Sequence, residues 1–262
     1  WISTDIGLNL LQKGKIRFWT KENGLKEDSL NGFYLDREQH LWVGTYGGGL
    51  LHVKDGRFSI ISEDEGLYNN VIYEVLQDDR DRFWMSSNRG IFYVNRQELL
   101  DLVEGQRQRI SCITFGISEG MRSLECNGGR QPAGWITRDR RLCFPTVDGL
   151  AIIDLKRLTI SQKAPRAIIE EILVNGQSVP MTQGIRIGPG HRNMEFRFTA
   201  PAYQAPEKIE FRYFLAGNDR EWRESRDIRR AYYTNISPGM YTFRVESSNR
   251  YGTFSGKTTD FK

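Results

Sequence analysis

The side chains best suited to binding are aromatic or planar and polar, and each directly follows a short apolar run. They are Tyr46, Asn88, Arg89 and Asp148. A second group lies within one segment and comprises Arg122, Asn127, Arg130 and Trp135. Aromatic faces beside planar polar groups suit a sugar, because a pyranose ring has apolar faces and hydroxyl edges. The alternative role of each residue is turn formation or hydrogen bonding between neighbouring sheets.

Patterns typical of catalysis or metal binding are missing from the sequence. It contains no GxSxG, HExxH or phosphate-loop motif, and its 3 Cys and 3 His have no metal-ligand spacing. Gly47-Gly48-Gly49 lacks the Lys that a phosphate loop requires, so it indicates a tight turn. Paired carboxylates such as Asp78-Asp79 fall at expected hairpin tips. We therefore expect no catalytic residues, no metal site and no cofactor.

The composition allows packed cores for one large domain or two ordinary ones. The 262 residues are 39% hydrophobic and 12% aromatic, with a net charge of only +4. Charges of both signs are mixed along the chain, which does not favour a nucleic-acid-binding surface. The arginine clusters are expected to be solvated turns, and they comprise Arg138, Arg140, Arg141, Arg226, Arg229 and Arg230. Because the sequence opens at Trp1 without Met, we expect it to be part of a longer protein.

An internal repeat organises the first half of the chain. Its tryptophans are almost evenly spaced and are Trp1, Trp42 and Trp84. Each is soon followed by Thr or Ser and then by Gly. A second marker recurs at the same spacing, at Gly24-Leu25 and Gly66-Leu67. A fourth unit carries Cys143 at the tryptophan position. A period of about 40–45 residues containing short strands is typical of β-propeller blades.

Each complete unit is predicted to hold four short strands. In the second unit they cover residues 30–35, 41–45, 50–53 and 58–61, and in the third 71–76, 83–86, 91–94 and 110–115. Residues 97–103 are predicted to form a helical turn. The tail of one unit, two full units and a fourth unit near 122–157 predict a partial β-propeller of about three to four blades.

The second half has a different pattern. Asn175-Gly176 between apolar runs predicts a hairpin, and Met194, Phe196 and Phe198 alternate with charged residues as in a half-buried strand. Strands are predicted over residues 193–198, 207–215, 230–235 and 239–247. We expect an immunoglobulin- or fibronectin-like β-sandwich over residues 161–262, after a propeller region over 1–160. Its core is expected to include Tyr213, Trp222, Tyr232 and Tyr241.

Motifs in both halves resemble known families. Residues 211–219, FRYFLAGND, with Trp222 and the stretch RAYYTNISPGMYTFRV at 230–245, resemble the triple-tyrosine (Y_Y_Y) domain. Asn249, Tyr251 and Gly252 complete that pattern. The run LWVGT at 41–45 resembles the two-component regulator propeller repeat, and LCFPTVDGL at 142–150 resembles its last blade. Departures from the repeat occur at Cys143 and at Ser86-Ser87.

The tandem order resembles the sensor region of hybrid two-component system histidine kinases. That resemblance implies a non-catalytic, periplasmic ligand-sensing region that binds a small molecule, in many relatives an oligosaccharide. It also implies a homodimer whose rearrangement transmits the signal, a membrane link only through a downstream segment outside this chain, and no nucleic-acid partner. The alternative function is a non-catalytic protein-interaction scaffold, because fold alone does not choose between these roles.

Overall fold

A computed structural model describes residues 1–158, 163–182, 184, 186–188, 193–202, 206–225, 228–249 and 252–261. The chain divides into two compact units, Trp1–Thr159 and Ile160–Lys262. The predicted division at 160/161 lies one residue from this boundary. Strands dominate both units, and the α-helix α1 (Arg96–Val103) covers the predicted helical turn. The prediction of an all-β chain is confirmed.

The first unit consists of four antiparallel sheets, each made of strands that are consecutive in the chain. The first sheet contains β1 (Ile2–Thr4), β2 (Gly7–Gln12) and β3 (Lys15–Trp19), and the second contains β4 (Leu30–Leu35), β5 (Leu41–Thr45), β6 (Leu50–Lys54) and β7 (Arg57–Ile61). The third contains β8 (Glu74–Gln77), β9 (Arg82–Ser87), β10 (Gly90–Asn95) and β11 (Ile113–Phe115), and the fourth β12 (Trp135–Ile136), β13 (Arg141–Thr146) and β14 (Gly149–Asp154). These are the blades of a partial β-propeller.

Crossings between consecutive sheets begin with short 3-10 segments. These are Lys21–Asn23, Glu63–Glu65 and Ile117–Glu119. Each segment is followed by a glycine with positive φ, at Gly24, Gly66 and Gly120. A left-handed backbone turn of this kind favours glycine because glycine has no Cβ. The glycine that recurs at the same spacing as the tryptophans therefore ends the 3-10 segment of each crossing.

Tryptophan rings pack in the interior of the first unit, and the Trp42 ring lies between the second and third sheets. Trp42 and Trp84 are fully buried, and the Trp42 ring lies 5.2 Å from the ring of Phe83 in the third sheet. A buried indole N–H needs an acceptor. Asp36 accepts it from Trp42 at 3.3 Å, and Asp78 accepts it from Trp84 at 2.8 Å. Each carboxylate lies six residues before its tryptophan, in the turn that leads into the tryptophan strand.

The fourth sheet replaces both members of this pair. Cys143 stands at the tryptophan position and Thr137 stands six residues before it, where the second and third units carry Asp. The Thr137 hydroxyl accepts the backbone N–H of Arg141 at 3.0 Å, as Asp78 Oδ1 accepts that of Arg82 at 3.1 Å. The turn is therefore preserved, while the carboxylate is lost together with the indole that it serves.

A second hydrogen bond recurs in all four sheets, at the hairpin after each tryptophan-type strand. A Thr or Ser hydroxyl donates to the carbonyl of the glycine that closes the turn, at 2.8–3.0 Å, in the pairs Thr4–Gly7, Thr45–Gly49, Ser87–Gly90 and Thr146–Gly149. Every one of these glycines has a positive φ. The substitution of Thr by Ser in the third unit keeps this bond, because both residues supply the hydroxyl.

The second sheet contains a pair of histidines, of which His52 is buried and His40 is partly exposed. His40 Nδ1 and His52 Nε2 lie 2.7 Å apart, and the His52 ring lies 4.4 Å from the ring of Trp42. His40 occupies the position that Arg82 has in the third sheet. Arg96 from α1 supplies the missing guanidinium, and its terminal nitrogen lies 2.8 Å from Asp36. Burial and the neighbouring His40 lower the pKa of His52 to about 4.

The second unit is a β-sandwich. One sheet contains β15 (Ile168–Val174), β16 (Gln177–Val179), β17 (Met194–Thr199) and β20 (Arg230–Tyr233), and the other contains β18 (Phe211–Ala216), β19 (Arg223–Ser225), β21 (Thr242–Ser247) and β22 (Thr259–Phe261). A short 3-10 segment, Pro206–Lys208, precedes β18. Phe196 and Phe243 stack at 4.0 Å between the sheets. The predicted hairpin is present, with Val174 opposite Gln177.

Two expectations about the sandwich core, Tyr232 and Trp222, are wrong. Tyr232 is 51% exposed, whereas its neighbour Tyr233 is 4% exposed and donates to Asp219 at 2.5 Å. The register places Tyr233 opposite Met194, so the inward face of β20 carries Tyr233. Tyr213 and Tyr241 pack against the core. Trp222 does not, because its ring lies 5.8 Å from that of Phe214, on the face of β18 opposite to the one that carries Phe211 and Leu215.

Gly90→Ala is expected to destabilise the first unit more than Gly149→Ala. Both changes place a Cβ at positive φ, which costs roughly 1–2 kcal/mol. A Cβ on Gly90 would also lie 2.6 Å from the carbonyl oxygen of Phe115, whereas a Cβ on Gly149 meets nothing within 4 Å. This overlap adds at least about 1 kcal/mol. Urea midpoints followed by tryptophan fluorescence measure the difference, and equal midpoints would contradict the close approach.

Stability should fall as the pH drops from about 6.5 towards 4. In that window the unfolded chain protonates His52, whereas the folded chain keeps it neutral because its pKa is about 4. The loss is at most about 3 kcal/mol. The His52→Tyr variant, which copies Tyr93 opposite Trp84 in the third sheet, should flatten this dependence in urea titrations at pH 7.5 and 5. An unchanged slope would show that other groups cause it.

Candidate functional site

The four hairpins and the crossing segments lie at the same end of their sheets and alternate with one another. Tyr46 N–H donates to Ser29 O at 2.9 Å, and Gly47 N–H donates to Asn70 O at 3.1 Å. On the third sheet, Cys126 N–H donates to Ser87 O at 3.0 Å. The hairpins and crossings therefore form one continuous surface, which we call the hairpin face. It carries most of the residues that the sequence singles out.

Tyr46 belongs to an aromatic pair on the hairpin face. Its side chain is 61% exposed, and its ring lies 6.4 Å from that of Tyr73 at the start of the third sheet. The Tyr73 ring in turn lies against Gly128, where a Cβ would overlap it. Burial raises the pKa of Tyr73, and the nearby Tyr46 and Glu125 add to the effect, so its phenol stays neutral. The pair thus borders the segment that contains Glu125 and Gly128.

This segment is held against the inner strands by a buried acid. Glu74 in β8 accepts the backbone N–H of Ala133 at 3.0 Å and is 5% exposed. Gln131, in the amide orientation that satisfies both groups, donates to Glu74 at 2.9 Å and accepts from Gly32 N–H at 3.0 Å. Burial raises the pKa of Glu74, which faces backbone donors and an amide. Residues from the second and third sheets therefore fix the crossing to the fourth.

Asn88 and Arg89 are held by the preceding crossing. The buried Asn69 donates to Asn88 Oδ1 at 2.8 Å and accepts the N–H of Val71 at 2.7 Å. The Arg89 guanidinium lies 5.6 Å from the centre of the Tyr68 ring, whose hydroxyl donates to the Arg89 carbonyl at 3.0 Å. Both side chains are exposed, so they present an amide and a stacked cation on the hairpin face.

Arg122 and Asp148 line a cleft of about 180 Å³ beside the fourth hairpin. Its remaining lining comes from the end of the third sheet, the third crossing and β14, namely Phe115, Glu119, Gly120, Met121, Thr146, Leu150, Ala151, Ile152 and Ile153. The cleft therefore has one wall of apolar β14 side chains and a charged rim.

Three predicted residues lie outside these groups. Asn127 is tied to the fourth sheet, since its N–H donates to Pro145 O at 2.8 Å and its amide to Thr146 O at 3.0 Å. Arg130 is exposed in the segment that leads to β12. Trp135 lies in β12 opposite Cys143 and is 62% exposed on the outer face of the fourth sheet. The structure therefore brings together only part of the predicted set.

Sequence reasoning missed Tyr73 and Asn69, which connect the predicted residues. Tyr73 lies in the run Val71–Glu74, which has the composition of an ordinary buried strand. Asn69 falls in a polar turn. Only their position in the repeat could have identified them, because both residues lie just after the Gly66-Leu67 marker and therefore at the hairpin face.

Most of the described arginines of the two clusters have partners. Arg140 pairs with Asp79 of the third sheet and Arg141 lies 3.0 Å from Asp139. Arg230 stacks on Tyr232 at 5.3 Å. Arg226 and Tyr251 lie outside the described residues.

Within the described ranges, no group of three or more His, Cys, Asp or Glu side chains is arranged to hold a metal ion. Each described helix is too short or too polar to cross a membrane.

Comparisons with known proteins give one family match within the second unit and further matches along nearly the whole chain. Residues 202–261 match the Y_Y_Y domain. Histidine kinase P4 of Formosa agariphila is 20% identical over an alignment of 281 residues, gaps included. The alignment covers 99% of this chain and 19% of the relative. The extracellular domain of BT3049 from B. thetaiotaomicron, described as a hybrid two-component system, is 19% identical with a TM-score of 0.71, covering 94% of this chain and 35% of that one.

The chain thus spans about a fifth of its curated relative and about a third of the solved chain. The Y_Y_Y domain is non-catalytic, and the solved match is an extracellular domain rather than a catalytic one. Residues 202–261 in the second unit therefore match the Y_Y_Y domain, and the fold of the chain is similar to that of the extracellular domain of BT3049.

Proposed function

We propose that this chain is the extracytoplasmic ligand-sensing region of a bacterial two-component receptor of the hybrid histidine kinase type. The support is the Y_Y_Y domain behind propeller sheets, a relative named as a histidine kinase and a solved match named as an extracellular domain. The region would lie in the periplasm and join the membrane through a downstream segment outside residues 1–262.

The ligand is an oligosaccharide bound on the hairpin face. The observation that carries this proposal is the pair of Tyr46 and Tyr73 rings, 6.4 Å apart, beside the polar segment that contains Glu125. Aromatic faces accept the apolar faces of sugar rings, while carboxylate and amide groups accept and donate to hydroxyls. Asn88 and the stacked Arg89 lie on the next hairpin, so the groups extend over more than one subsite.

Signalling would follow from differential binding in a homodimer. A ligand shifts the equilibrium between two dimer arrangements only by the difference in its affinity for them. Loops that touch two neighbouring sheets are suited to this, because their contacts depend on the placement of both. The segment between Glu125 and Ala133 has this property, since Tyr73 and Glu74 of the third sheet hold it.

The binding proposal predicts saturable binding of a defined oligosaccharide on a glycan array. Tyr46→Ala should weaken it at least tenfold, about 1.4 kcal/mol, because an exposed ring face is removed from the site. Gly128→Ala should weaken it similarly, since its Cβ would overlap the Tyr73 ring, whereas Gly129→Ala places a Cβ where nothing lies within 4 Å.

Near-UV circular dichroism and thermal midpoints control for folding in these variants. If the wild type, Gly128→Ala and Gly129→Ala bind the oligosaccharide with equal affinity, the site does not include the Tyr46–Tyr73 pair. The absence of glycan binding, together with capture of a defined protein partner, would favour the interaction scaffold instead.

The dimer proposal predicts a ligand-dependent change near the end of the chain. A spin label on a cysteine at Phe261, in a variant whose Cys112, Cys126 and Cys143 are replaced by Ser or Ala, reports the distance between the two C-terminal ends. The distance distribution should shift when the oligosaccharide is added. A monomer at all concentrations, or superimposable distributions with and without ligand, would contradict the mechanism.

A further inference from the structure

Among the described residues, Glu74 is the one buried carboxylate that is not paired with a guanidinium. Four carboxylate residues are buried, and three of them pair with arginine, as Asp36 with Arg96, Asp78 with Arg82 and Glu246 with Arg212. Glu74 is instead bonded to the neutral N–H groups of Val75, Ala133 and the Gln131 amide. An ionised carboxylate is costly to bury without a countercharge, so its protonation state depends on these neutral neighbours.

Two glycines leave the space that the Glu74 side chain fills. A Cβ on Gly32 would lie 2.4 Å from Glu74 Oε1, and a Cβ on Gly134 would lie 3.0 Å from Glu74 Cγ. Gly32 belongs to β4 of the second sheet, and Gly134 directly precedes β12 of the fourth sheet. The carboxylate therefore touches both the second sheet and the segment that leads into the fourth.

The amide of Gln131 lies between Glu74 and the second sheet. One of its polar atoms is 2.9 Å from Glu74 Oε2, and the other is 3.0 Å from Gly32 N. When Glu74 is ionised it can only accept hydrogen bonds, so the NH2 group of the amide faces the carboxylate. The amide oxygen then accepts the Gly32 N–H. In this orientation Gln131 connects the third sheet to the second.

A proton on Glu74 reverses the orientation of the amide. A protonated carboxyl has one O–H donor, and the amide oxygen of Gln131 becomes its acceptor when the amide rotates. The NH2 group then faces the Gly32 N–H, and two donors cannot bond to each other. Gly32 keeps an acceptor, because its N–H also donates to Tyr73 O at 3.0 Å. Gln131 is exposed, so water can accept from its NH2 group.

Burial and hydrogen bonds govern the proton on Glu74. Burial raises the pKa of Glu74 above its usual value of 4.5, and the N–H groups of Val75 and Ala133 oppose this effect. The other titratable or charged side chains on the elements around it are Tyr34 of β4, Tyr73, Arg82 of β9, and Glu125, Cys126 and Arg130 of the segment. The Arg82 guanidinium is paired with Asp78 and is not available to Glu74.

The direction of the shift keeps the change within the folded protein. Because the pKa of Glu74 is raised in the folded chain, the folded chain binds the proton at a higher pH than the unfolded chain does. Protonation of Glu74 therefore stabilises the folded chain, and this contribution is lost as the pH rises through the raised pKa. The proton binds in a range above pH 4.5 without unfolding the sheets.

We propose that Glu74 and Gln131 form a proton-controlled switch that sets how the segment between Glu125 and Ala133 is attached. With Glu74 ionised, the Gln131 amide bonds to Glu74 and Gly32 and joins the segment to two sheets. With Glu74 protonated, the amide rotates and the bond to Gly32 is lost. An effect of this change on oligosaccharide affinity rests on the proposed function, whereas the switch itself does not.

Nuclear magnetic resonance of the nitrogen-15-labelled chain tests the switch without a ligand. As the pH falls from about 7.5 to about 4, the side-chain amide of Gln131 and the backbone amide of Gly32 should change their chemical shifts with one shared midpoint. That midpoint should lie above 4.5, the usual pKa of Glu74. The Gly32 proton should move upfield, because it loses one of its two acceptors.

Three variants separate the switch from a general effect of pH. Glu74→Gln should abolish both changes, because its side chain does not titrate. Glu65→Gln is the matched control, since the Glu65 carboxylate accepts the Ser62 N–H at 2.8 Å and its pKa is lowered, and both changes should remain. Gln131→Met keeps the length of the side chain without the amide, and should remove most of the Gly32 change.

Four results would overturn the proposal. They are different midpoints for Gln131 and Gly32, no change above pH 4.5, changes that persist in Glu74→Gln, and a full Gly32 change in Gln131→Met. The last would show that the charge on Glu74 acts on Gly32 without the amide. The near-UV spectrum of each variant confirms that it is folded, and Gln131→Met alters an exposed residue. None of these results needs glycan binding, so this proposal and the proposed function can fail separately.

Discussion

The buried indole–carboxylate pair is the constraint on which the first unit depends. A tryptophan ring fills the space between two sheets, but its N–H must find an acceptor there. Asp36 and Asp78 provide it from the turn of the same sheet, so the second and third sheets each contain both the indole and its acceptor. Hydrogen bonds from the His40 N–H, Arg96 and Trp42 outweigh burial and lower the pKa of Asp36. The carboxylate therefore stays ionised between the sheets.

The exchange of Asp and Trp for Thr137 and Cys143 follows from this constraint. Without an indole, a buried carboxylate would lose a main donor and would be costly to keep. Thr retains the backbone hydrogen bond of the turn without the charge. The substitution falls in the sheet whose outer face is open, where Trp135 and Ile152 are exposed. The Asp–Trp pair is therefore replaced in the sheet whose outer face, among the described residues, has no further sheet packed against it.

Much of the fold could be predicted because the same residues recur at the same structural positions in successive units of the repeat. The strands at 30–35 and 41–45 have the predicted limits, since each ends at a turn residue with a physical reason to be there. The predicted strand limits were less accurate in the third sheet. A strand was predicted over 71–76 but β8 begins at Glu74, because Val71 and Ile72 bond to the preceding sheet instead. Tyr232 and Tyr233 are adjacent in β20, and the alternation of residues along a strand does not by itself show which of the two faces the sandwich core.

The site was less predictable, because it depends on contacts between units of the repeat. Tyr46 and Asn88 could be placed at the hairpin face from their position after the tryptophan strand. Tyr73 and Gly128 are far apart in the sequence, and only packing shows that the ring lies against the glycine. The cleft near Arg122 was equally hidden, because its lining brings together residues 115–122 and 146–153, which only the packing of the third and fourth sheets places side by side.

The segment from Glu125 to Ala133 is the part of the hairpin face best placed to link binding to sheet arrangement. It is long, irregular and joined to two other sheets by few groups: the buried Glu74, the Tyr73 ring and the amide of Gln131. The close-packed tryptophan junctions resist small displacements, because interiors of this density lose many contacts when they move. A ligand that touches the segment would change few strong contacts, so its binding energy could favour one position of the segment over another.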